Sequence, residues 1–180
     1  MILYYKVEKD NQTINNILKQ NLHISSRLFS KLINNKLVTV NNQICDTRNS
    51  VHINDIISID FSYNEDNSNI VPTKMNLNII YEDEAFIVIN KPAGIAVHPS
   101  FCHFDNTLLN GIKFYFDEIN LHKKIRPVNR LDLNTSGLII FAKNEYIQEC
   151  LIKQMANKTF KKEYLTVVCG KMPNKKRNYK

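Results

Sequence analysis

Apolar residues three and four positions apart mark two helices near the start of the chain. The first covers residues 13–22, where Thr13 stands in the position of an N-cap. The second begins after Ser25 and Ser26, which are also residues typical of a helix start. The apolar positions that carry this spacing are Ile14, Ile17, Leu18 and Leu22 in the first helix, and Leu28, Phe29, Leu32 and Ile33 in the second.

Short apolar runs bounded by turn residues predict strands in the same region. Residues 37–40 form one strand, Asn41-Asn42 a tight turn, and residues 56–61 a second strand after the turn at Asn54-Asp55. The order helix, helix, strand, turn, strand predicts a small α+β domain over residues 1–62. Residues 63–76 are polar and unpatterned, which is a linker composition, and a second domain is expected over residues 77–180.

The second half alternates strand and helix patterns. Strands are predicted at 77–81, 85–90, 138–142 and 164–168, and helices at 106–118 and 144–155. The acidic triplet Glu82-Asp83-Glu84 lies between the first two strands, where it is typical of a solvated hairpin turn.

Composition limits the kind of protein and its partners. The chain has 180 residues with 43% hydrophobic and 23% charged positions, as in ordinary globular proteins. No apolar run approaches the roughly 20 residues that span a bilayer, and the start lacks the features of a signal peptide, so we expect a cytoplasmic protein without a membrane partner. The net charge of +7 favours an anionic partner. Residues 1–76 hold 8 basic and 7 acidic residues, whereas residues 77–180 hold 16 and 10, so the excess lies in the second half.

The four cysteines are scattered and form no Cys-x-x-Cys pair, so we expect reduced thiols rather than a zinc or redox site. His98, Cys102 and His103 lie close in sequence, but no fourth ligand stands out, and we expect no metal.

Glycine is scarce, with four positions in the chain, and three of them fall in turn-like motifs. Gly94 ends the turn Lys91-Pro92-Ala93-Gly94, and Gly137 ends the run from Arg126 to Gly137, which contains Asp132. Taken alone, an Asp in such a run is typical of a turn or a cap.

Three motifs together resemble the RluA-type pseudouridine synthases. Residues 87–99 resemble the opening motif of that family's catalytic domain, and the run Arg130-Leu131-Asp132 through Thr135-Ser136-Gly137 resembles its Arg-Leu-Asp-x-x-Thr-Ser-Gly signature. Residues 162–170 resemble the later Lys-x-Tyr motif. The resemblance implies a partial catalytic domain with a mixed, largely antiparallel sheet flanked by helices.

The resemblance also implies roles for individual residues. Asp132 would be the catalytic carboxylate, and Arg130 would fill the space left by a flipped base or bind phosphate. Tyr164 would stack on the uracil, while Thr135, Ser136 and Gly137 would shape the loop. Isomerisation of uridine requires no redox agent, so no cofactor and no metal are expected. The partner would be ribosomal or transfer RNA.

The first domain resembles the S-four-like RNA-binding domain found before many of these catalytic domains. The matching positions are Ser25 to Arg27, Lys31 to Ile33, Val38 to Asn41 and Asp55 to Ile59. The resemblance implies that Arg27, Lys31 and Lys36 contact RNA phosphates, although these residues are also typical of a solvated helix face. The family usually has glycine where Lys36, Asn42 and Asn54 stand, and Asn tolerates a left-handed backbone better than Lys.

Departures from the family pattern affect the expected activity. The family often has His at the position of Asn129, and its catalytic domains continue beyond the Lys-x-Tyr motif with further strands. We therefore expect a truncated product or a fragment, with an exposed sheet edge and a basic, disordered tail over residues 171–180.

Three functions remain open from the sequence. The first is an RNA pseudouridine synthase, and the second is an RNA-binding protein that has lost catalysis. The third is a different carboxylate enzyme that cleaves glycosidic bonds, which would need a second carboxylate beside Asp132. The sequence leaves the uridine, the RNA and the oligomeric state open.

Overall fold

The computed structural model describes residues 1–170 and shows an α+β protein with two hydrophobic cores. Its strands are β1 (Ile2–Lys6), β2 (Gln12–Thr13), β3 (Val38–Val40), β4 (Ser50–Val51), β5 (Ile56–Asp60), β6 (Ile79–Glu82), β7 (Phe86–Lys91), β8 (Arg126–Pro127) and β9 (Gly137–Ala142). Its helices are α1 (Ile14–Asn16), which continues as a π-helical turn (Ile17–Asn21), α2 (Ser26–Asn34), α3 (Leu108–Glu118) and α4 (Glu145–Ala156).

The first core is formed by residues between Val7 and Phe61, and the chain up to Phe61 is called the N-terminal module below. An antiparallel sheet in the order β1-β5-β3 packs its inner face against the helices, and β2 pairs with β4 in a short ribbon. Both predicted N-caps are confirmed: the Thr13 hydroxyl accepts the Asn16 N–H at 3.2 Å, and the Ser25 hydroxyl accepts the Leu28 N–H at 3.3 Å. These caps start the helices where the apolar spacing begins.

The turns of this module use a left-handed backbone at non-glycine residues. Asn41, Asn42 and Asn54 have φ of 48°, 65° and 73°, and Lys36 has φ of 55°. Asn adopts this conformation with little penalty because its short side chain bonds locally, whereas Lys pays about 1–2 kcal/mol. The predicted Asn turns are therefore confirmed, and Lys36 is the strained position among the four.

The second core lies under a four-stranded sheet in the order β6-β7-β9-β8. This sheet and the helices α3 and α4 are called the second module below. Helix α3 covers one face of this sheet, which presents Ile87 and Ile89 of β7 and Ile139 and Phe141 of β9. The expected mixed sheet is corrected, because every strand pairing among residues 1–170 is antiparallel. The α+β class and the flanking helices were predicted rightly.

The other face of the same sheet is partly open. Leu138 of β9 keeps 56% of its surface exposed, and Ile80 of β6 is also exposed. The predicted strand over residues 164–168 is absent from the described part of the chain. That segment runs without helix or strand, and the side chains of Leu165 and Val167 are fully exposed because no strand pairs with their backbone.

The predicted linker has no helix or strand, but it is packed against the second module. Asn67 is buried and donates to the Lys123 carbonyl at 2.8 Å, and Ile70 and Met75 pack against the second core. A methyl group at Gly111 of α3 would lie 2.9 Å from the sulfur of Met75, so any larger residue there would require the Met75 side chain to move. The boundaries at 62 and 76 stay predictions.

A buried ion network joins linker, N-terminal module and second module. The carboxylate of Glu65 accepts two hydrogen bonds from the Arg126 guanidinium, at 2.6 and 2.7 Å. Lys31 of α2 lies 3.3 Å from Glu65 and 3.0 Å from Glu145 of α4, and Arg126 lies 3.3 Å from Glu145. Only 4% of the Glu65 side chain and 8% of the Arg126 side chain are exposed, so solvent hardly screens this pair.

The network also sets the ionisation of its members. Burial alone would raise the pKa of Glu65, but its hydrogen bonds and charge attraction to Arg126 and Lys31 hold the pKa below the ordinary value. Burial likewise would lower the pKa of Arg126, yet Glu65 and Glu145 raise it above the ordinary value. Both groups are therefore charged at neutral pH.

Helix α4 adds further contacts between the two modules. The rings of Tyr146 and Phe61 stack with centroids 5.5 Å apart. The Glu149 carboxylate accepts the Ser25 hydroxyl at 2.5 Å, and Lys153 donates to the His23 carbonyl at 2.8 Å. Ring stacking and hydrogen bonds that involve one charged partner each together fix α4 against the start of α2.

We predict that Arg126→Met lowers the free energy of unfolding by about 3–5 kcal/mol, because it leaves the Glu65 carboxylate buried with a weakened partner set. Urea denaturation followed by circular dichroism measures the change. Arg48→Met is the matched control, since Arg48 pairs with Asp46 at an exposed site, and we expect a much smaller change there. Equal losses in both variants would contradict the prediction.

Candidate active site

Asp132 lies in the turn that connects β8 to β9. The Thr135 N–H donates to the Asp132 carbonyl at 3.1 Å, which closes the turn, and the carboxylate side chain is exposed to solvent. Gly137 enters β9 with φ of 132°, a conformation that favours glycine. The turn thus presents a carboxylate on a backbone that β9 holds in place.

A second turn, residues 91–94 at the end of β7, is hydrogen-bonded to the Asp132 turn. The Leu133 carbonyl accepts the Gly94 N–H at 2.8 Å and the Lys91 ammonium at 3.0 Å. Gly94 has φ of 84°, so its backbone N–H reaches Leu133 in a conformation that other residues rarely adopt. Two of the three sequence motifs therefore meet at one carbonyl oxygen beside Asp132.

Lys91 is the site residue that received no role from the sequence. Its side chain is fully buried, and its ammonium also donates to the Pro92 and Ile95 carbonyls at 2.9 and 2.8 Å. Burial lowers the pKa of Lys91, and the negative charge of Asp132 partly offsets that effect. The period of two along β7 indicates that Lys91 is buried, because Ile87, Ile89 and Lys91 fall on the same face of the strand.

Arg130 precedes Asp132 by two residues and is exposed. Burial lowers the pKa of His98, and the positive charge of Arg130 lowers it further. Asn129, which stands where the family often has His, accepts the Ile140 N–H and donates to the Leu138 carbonyl, both at 3.0 Å. Asn129 thus continues the pairing of β8 with β9 toward the turn.

A cleft of about 980 Å³ lies on the open face of the sheet. Its walls include Thr135, Ser136, Gly137 and Tyr164, so the structure brings together four of the predicted substrate-binding residues. Asp132 and Arg130 do not line it, but Leu131 and Asn134, on either side of Asp132, do. Asp132 therefore lies at the rim of the cleft.

The predicted RNA contacts of the N-terminal module lie apart from this cleft. Arg27 and Lys36 are exposed, whereas the Lys31 ammonium bonds the carboxylates of Glu65 and Glu145. Within residues 1–170, no group of three or more His, Cys, Asp or Glu side chains is arranged to hold a metal ion. In the same part of the chain, no helix combines the length and the apolar character needed to cross a bilayer. The predicted tail over residues 171–180 lies outside the described residues.

Comparison with known proteins identifies the family of the chain. The model of the RNA pseudouridylate synthase family matches residues 85–180, which contain both turns and the cleft. The chain belongs to this family. The resemblance to RluA-type synthases is thereby confirmed.

Several curated family members are similar in sequence. The chain is 33% identical over 169 residues to the uncharacterized RNA pseudouridine synthase YhcT of Bacillus subtilis, covering 94% of this chain and 56% of that protein. It is 36% identical to ribosomal large subunit pseudouridine synthase D of Neisseria meningitidis serogroup B, covering 82% of this chain and 39% of that protein. The chain thus spans about half or less of the length of these relatives.

Two solved human structures, RNA pseudouridylate synthase domain containing 1 and domain containing 4, are also similar. They share 24% and 19% identity with TM-scores of 0.38 and 0.39, and each alignment covers 46% of this chain and 29% or 30% of theirs. A likeness at that level carries no argument about the site.

We predict that Lys91→Met lowers the free energy of unfolding by about 2–4 kcal/mol, because the Pro92, Ile95 and Leu133 carbonyls each lose a buried donor. Chemical denaturation measures the loss. Lys9→Met removes the same charge at an exposed position and should change stability by less than about 0.5 kcal/mol. A Lys91 variant as stable as the Lys9 variant would show that the ammonium is dispensable for the turn.

Proposed function

We propose that this protein is an RNA pseudouridine synthase that converts uridine to pseudouridine, with Asp132 as the catalytic carboxylate. The observation that carries the proposal is the turn itself: an exposed carboxylate, held by Lys91 and Gly94 through the Leu133 carbonyl, at the rim of the cleft beside it. The family membership supports the same reaction.

The reaction is an isomerisation, so its atoms balance without an oxidant or a second substrate. The bond from the sugar C1′ to uracil N1 breaks, the uracil turns, and a bond from C1′ to C5 forms. The proton on C5 then leaves and N1 takes up a proton, so the product is an isomer of the substrate. An ionised carboxylate acts in this sequence as a nucleophile or as a base. Asp132 has the exposure that an RNA substrate requires, and a fixed turn reduces the entropy lost on reaching the reactive geometry.

The neighbouring residues receive roles that fit their positions. Arg130, exposed beside Asp132, binds phosphate or fills the space that the flipped base leaves. Tyr164, which lines the same cleft, stacks on the uracil, and Thr135, Ser136 and Gly137 shape the wall next to Asp132. No step in this proposal uses a cofactor or a metal.

The RNA is proposed to be ribosomal, because several of the relatives bear the name ribosomal large subunit pseudouridine synthase D. Transfer RNA is the other substrate to test. We propose residues 1–62 as an S-four-like RNA-binding domain that contributes part of the affinity, and a cytoplasmic location.

We predict that Asp132→Asn lowers tritium release from RNA labelled at C5 of uracil by at least about 100-fold, because the amide neither attacks nor takes a proton. Asp66→Asn is the matched control, since Asp66 is exposed and lies in the linker, and it should retain wild-type release. Circular dichroism verifies that both variants fold.

Release that survives in Asp132→Asn would refute the proposed role of this carboxylate. No release from the folded wild type, together with RNA binding that Asp132→Asn leaves unchanged, would favour an RNA-binding protein without catalysis. Free uracil or ribose as the product would favour a glycosidic hydrolase instead.

We predict that Arg27→Ala and Lys36→Asn each weaken RNA binding and each lower the slope of log affinity against log salt by about 1, because each removes one phosphate contact. Asn is chosen at residue 36 because it tolerates the left-handed backbone there. Fluorescence anisotropy over a salt series measures both quantities.

Lys31→Ala gives the internal comparison. The Lys31 ammonium bonds Glu65 and Glu145, so we expect a smaller change in the salt slope and a lower free energy of unfolding. A full unit of slope lost in Lys31→Ala would show that RNA phosphate replaces these carboxylates.

A further inference from the structure

Two phenylalanines are exposed to solvent at one tight turn: Phe101 lies in the turn and Phe104 follows it directly. The chain has nine phenylalanines, all within the described residues, and seven of them are buried or half-buried. The two exposed ones are Phe101, with its whole surface in solvent, and Phe104, with 69%. Exposed aromatic rings that gather in one place mark binding surfaces more often than isolated ones do.

Hydrogen bonds hold the backbone that carries these rings. Ser100 and His103 exchange two backbone hydrogen bonds, of 2.8 and 3.1 Å, which leave Phe101 and Cys102 at the tip. The base of the segment is held as well, since the Thr73 hydroxyl donates to the Asp105 carbonyl at 2.6 Å. A ring on such a backbone loses little freedom when it binds a partner.

The turn also leaves directly from the candidate active site. His98, three residues before Phe101, is near enough to Arg130 for that positive charge to lower its pKa, and residues 91–94 earlier in the same segment hold the Asp132 turn. The exposed guanidinium of Arg130 supplies a positive charge in the same region, which favours an anionic partner. A partner that is both anionic and able to cover exposed aromatic faces is single-stranded RNA, whose bases stack on such rings.

We infer that Phe101 and Phe104 form a stacking platform for unpaired bases that flank the target uridine. The inference rests on the proposed function in one respect, that the partner is RNA. Stacking on any base requires no hydrogen-bond readout, so the platform would hold the strand beside Asp132 without selecting its sequence. It is separate from the stacking assigned to Tyr164, which lines the cleft.

The test measures the affinity of a fluorescein-labelled stem–loop RNA with a uridine-containing single-stranded loop, and of a duplex RNA with the same stem. Phe101→Ala and Phe104→Ala should each weaken stem–loop binding by about 5- to 150-fold. Binding of the duplex should change by less than twofold, because its bases are already stacked. Phe101→Trp should retain the affinity, whereas Phe101→Leu should lose most of it, since leucine is apolar but has no aromatic face.

Two further readouts separate stacking from other causes. The slope of log affinity against log salt should stay at its wild-type value in Phe101→Ala, because no phosphate contact is removed. Ile119→Ala is the control for loss of exposed apolar surface, as Ile119 is exposed at the end of α3, about 16 Å along that helix from its start. This variant should bind both RNAs like the wild type.

Several results would overturn the inference. They are an equal loss on both RNAs, a Leu variant as good as Trp, or an unchanged affinity in both Ala variants. A change in sedimentation of the RNA-free protein, with RNA affinity unaltered, would assign the rings to a contact between two copies of the chain. Affinity losses of the expected kind in a protein that releases no tritium would support the platform and refute the synthase proposal, so the two failures are distinguishable.

Discussion

The ion pair of Glu65 and Arg126 is the constraint on which the arrangement of the two modules depends. Glu65 belongs to the polar segment after β5, and Arg126 opens β8, the strand that leads into the Asp132 turn. Their bidentate contact is almost fully buried. Lys31 of α2 also pairs with Glu65, and Glu145 of α4 also pairs with Arg126. A pair of this kind contributes more to a unique geometry than to net stability, because its desolvation offsets much of the attraction. The N-terminal module is therefore held at a defined position relative to the candidate site.

The site itself depends on a smaller constraint, the carbonyl oxygen of Leu133. Two donors from the end of β7 meet there, and the sheet pairs β7 with β9 on the other side of the turn. The catalytic proposal, the family match and the stacking platform all involve segments that leave this junction. The Asp132 carboxylate is exposed, but it keeps a defined location because hydrogen bonds hold the backbone of its turn.

Most of the fold followed from local patterns in the sequence. The caps at Thr13 and Ser25, the Asn turns and the apolar runs of β7 and β9 each agree with the surrounding structure, so local and tertiary preferences coincide. The segment around Tyr164 shows where such reasoning fails: its alternation favours a strand, but a strand forms only beside a partner, and no pattern in one segment reveals whether a partner exists. The same holds for Lys31. Its spacing in the sequence is typical of a solvated helix face, whereas in the structure it pairs with Glu65 and with Glu145 of α4. Charged residues far apart in sequence meet through packing, which periodicity does not encode.

The contacts made by residues 61–65 fix the number of residues in this segment. Phe61 stacks on Tyr146, the carbonyls of Phe61 and Tyr63 accept the Lys123 ammonium, and Glu65 reaches Arg126 only a few residues later. Inserting or deleting one residue here would shift every later contact out of register. Evolution can therefore vary the identity of the solvent-facing residues in this stretch but not their number, and an indel would be tolerated only where the linker lacks such anchors.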